Sequence, residues 1–417
     1  RRPPISTLFP YTTLFRSRHN HVHDLKKDVI EHSLFGVDIQ EQAVRLCELR
    51  LWLSLVVDYQ LPDGATDHPA EMVRHIPTLP NLSYRVVRGD SLLEWLHGTV
   101  VPLQRSLHDA HMIRFFDERR TRDTVRALAD AKRAYFQSHN TTQKHQLAAA
   151  ILDYKASLVE RLLATMLQRL DEQTDKGQSF LPEIAAARKE RLPIEAERDR
   201  LAAILGRVTK ARGHLEEHRR MTAVPATASL HALEVEIFGD TARHPAFYWR
   251  FDFAEVFEQR DGFDIVIANP PYIRMELIKS IAPHLKESYR SAAGRADAFI
   301  YFIEQGVDLL RPTRRAAPAG GTSGGVLAYI SSSTFAKTGS GEALRALLGT
   351  ETTLRRFVDF GDLQVFKGVT TYPAVLVLRK ETPPKDAAVR GTVISSLEPD
   401  MLEAQLHAPG VIVRQRD

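Results

Sequence analysis

Hydrophobic and polar positions follow two rhythms along this chain. Residues 33–39, "SLFGVDI", form a short apolar run that ends in an acid. Residues 40–57 then repeat apolar side chains at helical spacing. "LSYRVVRGDSLL" (82–93) returns to a β-rich run, a Gly-Asp stop and further apolar residues. Strand, acid, helix and strand in that order predict βαβ units and a parallel sheet. From about 100 to 218 the rhythm changes: residues 118–137, 143–173 and 183–218 are charged, rich in Ala and Leu, and helical throughout. "SHN" (138–140) separates the first two runs, with Asn140 or Thr141 placed to cap the second. The pattern predicts an inserted helical hairpin or three-helix arm. Solvated helices with one packing stripe explain it, and contact with a partner is the other reading.

The α/β rhythm resumes near 248. "FDIVIANPPYIRM" (263–275) reads as a buried strand that runs into two prolines, which cannot donate ladder hydrogen bonds. An amphipathic helix over 297–310 and a Gly/Pro/Ala-rich loop over 311–325 follow. Next come a strand over 325–335, a helix over 341–349 closed by Gly349, and strands over 354–362 and 372–380 joined by a turn at "KGVTT". No internal repeat is apparent.

The 417 residues are enough for two or three domains, and 43% hydrophobic with 26% charged residues describes an ordinary globular protein. The formal charge of +4 suits a polyanionic partner without requiring one. No apolar run approaches the roughly 18 residues of a membrane span. The single cysteine, Cys47, excludes an internal disulfide framework and any Cys-rich metal site, which favours a reducing, cytoplasmic location. Residues 1–17 have neither periodicity nor a signal-peptide core and read as a non-native leader.

Chemistry is expected at strand ends, because ligands of open parallel sheets bind outside the strands' carboxyl ends. Asp38 ends one strand and suits a ribose, accepting from adjacent hydroxyls; Asp90 ends another and suits an adenine amine, with Leu92 near enough to cover the ring. The alternative is that each aspartate caps the next helix. Asn269-Pro270-Pro271-Tyr272 is more specific. Residues before proline are extended, and such an elbow aims the Asn269 oxygen and the Pro270 carbonyl at one point. Two converging acceptors suit a planar NH2 group, and Tyr272 can lie against the ring that carries it.

Those residues, together with "FYWRFDFAEVF", "ADAFIYFIEQGVDLL", "GGVLAYISSSTF" and "VDFGDLQVFKGVTTYPAVLVL", resemble adenine-specific DNA methylases of the type IIG restriction–modification class and their phage-defence relatives, over about residues 30–380. The resemblance implies a Rossmann-like class I methyltransferase sheet, mostly parallel with an antiparallel last strand, interrupted by a long helical insertion. It divides the chain into a cofactor-side part (18–99), an insertion (100–247), a catalytic part (248–380) and the start of a C-terminal region (381–417). S-adenosylmethionine is the implied cofactor. Asp38 would bind its ribose, Ile39 would flank its adenine, Asp90 and Leu92 would meet the adenine's amine and ring, and Asp297 and Phe299 would help close that pocket. Asn269, Pro270 and Pro271 would present the target adenine's N6 amine, Tyr272 would stack on the extruded base, and Tyr329 is the candidate for its other face. No metal is required. Double-stranded DNA is the implied partner, with a fused or associated restriction nuclease and a target-recognition domain.

One departure stands out. The family's first strand and its Gly-rich loop should precede Asp38, yet residues 18–32 contain no glycine and no such strand. A strand position between 34–38 and 264–268 is therefore expected to stand open, and this chain by itself is expected to bind cofactor poorly. Three other readings remain. Protein-glutamine methyltransferases also use Asn-Pro-Pro-Tyr but are compact, whereas roughly 180 residues separate Asp90 from Asn269 here. An RNA amine is a related substrate, and a DNA-binding scaffold without catalysis is the last.

Overall fold

The computed structural model describes residues 21–59, 82–101, 115–138, 140–178, 184–221, 227–239, 244–292, 294–313, 323–366 and 372–415. The expected leader, the middle of the 311–325 loop and the "KGVTT" turn lie outside them. The chain divides into two compact units, Arg1–Asp90 and Ser91–Asp417.

In the first unit, helix α1 (His21–His32) leads into strand β1 (Gly36–Asp38), helix α2 (Glu41–Asp58) and strand β2 (Val86–Arg88). The two strands pair in parallel, with Gly36 opposite Val86 and Asp38 opposite Arg88. This is the predicted strand–helix–strand unit. Ile30, Leu55 and Leu82 form its core, with Leu34, Leu51 and Trp52 packed around them. The helix α2 is apolar on more than this one side: Leu46, Leu49 and Leu53 recur at helical spacing on a face that is about half exposed.

The second unit begins with a small antiparallel pair, β3 (Trp95–Leu96) and β4 (Thr99–Val100). Then come the predicted long helices, α3 (Arg119–Gln137), α4 (Thr141–Gln178) and α5 (Ile184–Met221), and the shorter α6 (Thr227–Phe238). The Asn140 side chain accepts from the Gln143 N–H at 3.1 Å, so Asn140 caps α4. Leu152, Leu158, Val159 and Leu162 of α4 and Leu201, Ile204, Val208 and Leu215 of α5 are buried. Apolar stripes of this kind, rather than propensity alone, hold long helices together.

Helices α7 (Trp249–Asp252) and α8 (Ala254–Arg260) carry an aromatic belt. Phe247 meets Trp249 and Phe253 with ring centroids 4.9 and 5.6 Å apart, and Phe253 meets Phe263 at 6.0 Å. The arm is fastened here by two largely buried lysines. Lys132 of α3 reaches Glu255 at 3.0 Å and the Asp252 carbonyl, and Lys155 of α4 reaches the Asp252 carboxylate at 2.7 Å.

The main sheet has six strands in the order β10-β9-β7-β8-β6-β5. They are β5 (Ile265–Ala268), β6 (Val326–Ser332), β7 (Thr353–Asp359), β8 (Pro373–Arg379), β9 (Ala388–Val393) and β10 (Val411–Arg414). β5 and β6 are parallel, as are β7 and β9, and β8 runs antiparallel between β6 and β7. The carboxyl ends of β5, β6 and β7 therefore share one edge. Of residues 381–417, read as the start of a C-terminal region, β9 and β10 extend this same sheet.

Helix α9 (Ala282–Ser288) and helix α10 (Ala298–Leu309) lie between β5 and β6 in the chain. Helix α10 is almost wholly buried and, with Leu327, Tyr329, Leu376 and Leu378 of the sheet, makes the main core. Gly306 lets the tyrosine in: a Cβ there would lie 2.4 Å from the Tyr329 hydroxyl. Helix α11 (Glu342–Glu351) adds Leu344, Leu347 and Leu348 to that core, running past Gly349, which was expected to close it. Helix α12 (Pro399–His407) packs Leu402 and Leu406 on a second cluster at Val358, Phe360 and Ile394.

The strand expected to be buried is open on one side. Val266 and Ala268 pack on the core, but Ile265 and Ile267 are 66% and 73% exposed. The reason is position: β5 is the edge strand of the sheet.

Candidate active site

The elbow begins where β5 ends. Pro270 is buried, which fixes the turn, while Asn269 and Pro271 on either side are exposed. Neither the Asn269 amide nor the Pro270 carbonyl is engaged in a hydrogen bond among the described residues. A pair of uncommitted acceptors on a stiff corner is what recognition of an amine requires. Had the amide been turned inward and satisfied by backbone, the corner would have been a structural turn.

Tyr272 is half-buried, and its ring lies 5.8 Å from that of Phe366 with a 58° tilt between the planes. Its hydroxyl is shielded from solvent yet has no hydrogen-bond partner among the described residues. Burial raises the phenol's pKa, so it is neutral and keeps its proton to donate. An orphaned donor beside two orphaned acceptors marks a place where a ligand or water completes the bonding.

Tyr329 was the ring expected opposite Tyr272; the ring found beside Tyr272 is Phe366, which the sequence reading did not single out. Tyr329 is paired opposite Ala268 in the β5–β6 ladder, but it is 4% exposed and points into the core over Gly306. Both faces of its ring are taken by protein, so it offers none to a base. Phe366 follows β7, whose carboxyl end lies on the same edge of the sheet as that of β5.

Phe299 is likewise corrected. It is 3% exposed within the main core, leaving no surface for a cofactor. Asp297 precedes α10, and its Oδ1 accepts from the Met275 N–H at 3.0 Å while the Ala298 N–H bonds to the Ile273 carbonyl at 3.0 Å. These two bonds hold the segment that follows the elbow. Leu92 is partly buried against the same core, and its carbonyl accepts from the Tyr289 hydroxyl at 2.8 Å.

Asp38 and Asp90 belong to the first unit. The Gly89 N–H bonds to the Asp38 carbonyl at 2.9 Å, so the carboxyl ends of β1 and β2 lie side by side. Asp38 is exposed, and one carboxylate oxygen accepts from the Gln40 N–H at 2.8 Å, immediately before α2. That bond is an Asx turn onto Gln40, the residue at the helix N-cap, and no side chain caps α2; the second Asp38 oxygen makes no hydrogen bond among the described residues. Ile39 beside it is 48% exposed, with its carbonyl accepting from the Arg88 guanidinium at 3.1 Å. One open carboxylate oxygen and an exposed apolar neighbour fit a nucleoside.

Among the described residues, no group of His, Cys, Asp and Glu side chains is arranged to hold a metal, and no helix is long and apolar enough to cross a membrane. An apolar cavity of about 310 Å3, lined in part by Phe335, Leu348, Phe357 and Val413, shares no residue with the elbow.

Residues 32–366 match the family model described as Eco57I restriction-modification methylase. The type II methyltransferase M.XhoI of Xanthomonas vasicola is 33% identical over 162 residues, 36% of this chain and 28% of that protein. The type II restriction enzyme and methyltransferase RM.Eco57I of Escherichia coli is 34% identical over 28% of this chain and 11% of its own length. A putative type II restriction enzyme and methyltransferase of Methanocaldococcus jannaschii, RM.MjaORFECS2P, is 24% identical over 88% of this chain and 27% of its own. The matches thus span between 11% and 28% of the length of these relatives.

Proposed function

The chain belongs to the Eco57I restriction-modification methylase family, and on that premise we propose that it carries the methyl-transfer site of a site-specific DNA methyltransferase acting on the N6 amine of adenine. The observation that carries this reading is the uncommitted Asn269 amide on its buried proline corner, beside the Tyr272–Phe366 ring pair.

A base inside a duplex is out of reach of such a corner, so the target must be extruded, at a cost of a few kcal/mol. Tyr272 and Phe366 hold the extruded ring, and aromatic stacking of this kind returns on the order of 1–3 kcal/mol per base. The Asn269 oxygen and Pro270 carbonyl then accept the two amine protons. Those bonds favour a tetrahedral nitrogen and turn its lone pair out of the ring plane, toward the methyl group. S-adenosylmethionine supplies that methyl already activated on a sulfonium, so orientation is the main task left to the protein. Asp38 would accept from the cofactor's ribose, Ile39 would flank its adenine, and Asp90 would accept from that adenine's amine. The edge position of β5, with Ile265 and Ile267 exposed, supports the expectation of an open strand position beside it.

The test is transfer of labelled methyl from S-adenosylmethionine to duplex DNA and, in parallel, to a glutamine-containing peptide, using the complete protein. Label in N6-methyladenine that is lost in Asn269→Ala supports the reading. Label in the peptide alone moves the assignment to protein-glutamine methylation.

A further inference from the structure

Directly after the elbow the chain makes a short outward turn, Ile273 to Lys279, with a 3-10 helix at Met275–Leu277. Its base is fixed. Asp297 holds the Met275 N–H, the Ala298 N–H holds the Ile273 carbonyl, and Ile278 is 8% exposed in the main core. Its tip is bare: Leu277 is 79% exposed. A lone exposed leucine is ordinary, but this one stands on a braced turn five residues from Tyr272, within roughly 17 Å of it at full extension.

The charges around the leucine are sorted. Arg274 is exposed, and its guanidinium makes no ion pair or hydrogen bond among the described residues. Lys279 is exposed and makes none either; the acid between them, Glu276, is paired with Arg295 and feels the Lys279 charge only at longer range. The turn therefore presents an apolar tip between two available cations. Proteins that open the base stack use that combination, an apolar side chain filling the gap and cations on the backbone phosphates.

Taking the adenine-methylase reading as its basis, we infer that the Ile273–Lys279 turn enters the duplex beside the extruded adenine. Leu277 wedges into the vacated stack, and Arg274 and Lys279 bind the flanking phosphates. The wedge holds the duplex open while the elbow holds the base, so the two ends of one eleven-residue stretch, Asn269–Lys279, act on the same event. Asp297 is a positioning residue in this scheme, because it sets the turn relative to Asn269.

The experiment compares the complete wild-type protein with Leu277→Ala and Leu277→Met on a short duplex carrying its mapped methylation site. A second duplex lacks the base opposite the target, so the adenine is already unpaired. On the paired duplex, kcat/KM is expected to fall on the order of ten-fold in Leu277→Ala and to recover most of that in Leu277→Met. On the second duplex the deficit is expected to shrink to within about two-fold, because little opening remains to be done. Arg274→Ala and Lys279→Ala are each expected to flatten the slope of log affinity against log salt by about 0.9. Leu277 is exposed, so an unchanged urea midpoint shows that the variant folds. A Leu277→Ala variant that matches wild type on the paired duplex overturns the wedge, as does a deficit equal on both duplexes. Salt slopes unchanged in both charge variants overturn the phosphate contacts. Absence of adenine methylation by the wild-type protein overturns the functional reading and the wedge together, whereas normal methylation with an indifferent Leu277 overturns the wedge alone.

Discussion

Asn269 owes its availability to its neighbours. Pro270 is buried and holds the corner, and the amide is left with no partner among the described residues. Asn269→Ala is expected to lower kcat by roughly 10²–10³, the usual cost of deleting one polar contact to a reacting group, with DNA affinity changed only a few-fold. Tyr272→Ala and Phe366→Ala are each expected to lower kcat/KM by about 5- to 150-fold, equivalent to ~1–3 kcal/mol of stacking. Because the two rings share one base, the double variant should lose less than the sum, which steady-state kinetics on the four proteins would show. The elbow was legible from residue types alone, since two prolines after an apolar run stop a strand wherever they occur. Its second aromatic was not. Tyr329 lies in the middle of "VLAYISS", which is apolar on both faces, and Phe366 lies beyond the end of β7. Only the pairing of β6, with Gly306 beneath it, shows that Tyr329 turns inward.

At the scale of elements, the helical arm depends on two lysines that helical periodicity assigns to solvent. Lys132 is 1% and Glu255 7% exposed, and Lys155 is 8% exposed. Charges buried this far are costly to uncouple. Lys132→Ala should destabilise by about 3–5 kcal/mol, because Glu255 is left buried without its partner, whereas Lys132→Met with Glu255→Leu should cost far less. Urea midpoints of the three proteins distinguish these outcomes. The long helices themselves and the Asn140 cap could be read in advance, because 3.6-residue spacing and a capping side chain are local signals. What the arm rests on could not: Lys132 and Glu255 are 123 residues apart, and nothing local pairs them.

Across the whole molecule, the sheet and its charge network set the pH response. Asp308 at the end of α10 stands 3.2 Å from Arg290, which also engages Glu304 and Glu351, while the Lys380 ammonium bonds to the Asp308 carbonyl at 3.1 Å. Burial outweighs these cations and pushes the Asp308 pKa up to about 6 from 3.8. A carboxyl whose folded pKa is raised favours folding most when protonated, so its contribution is full below about pH 4 and is lost as pH rises through 6. The difference in unfolding free energy between wild type and Asp308→Asn should therefore fall by up to ~3 kcal/mol between pH 4 and pH 7. A flat difference would show that Arg290 offsets the burial. The strands of the sheet were legible individually from their apolar runs, but their order was not. Neither the edge position of β5 nor the continuation into β9 and β10 leaves a mark in the local pattern, because partners are set by crossovers between distant segments. The central claim is that the proline corner presents an adenine amine for methylation. Mass spectrometry of nucleosides from duplex DNA treated with the complete protein and S-adenosylmethionine tests it most directly. N6-methyladenine formed by wild type and absent with Asn269→Ala is the expected result; methylated cytosine, or N6-methyladenine undiminished in Asn269→Ala, would contradict it.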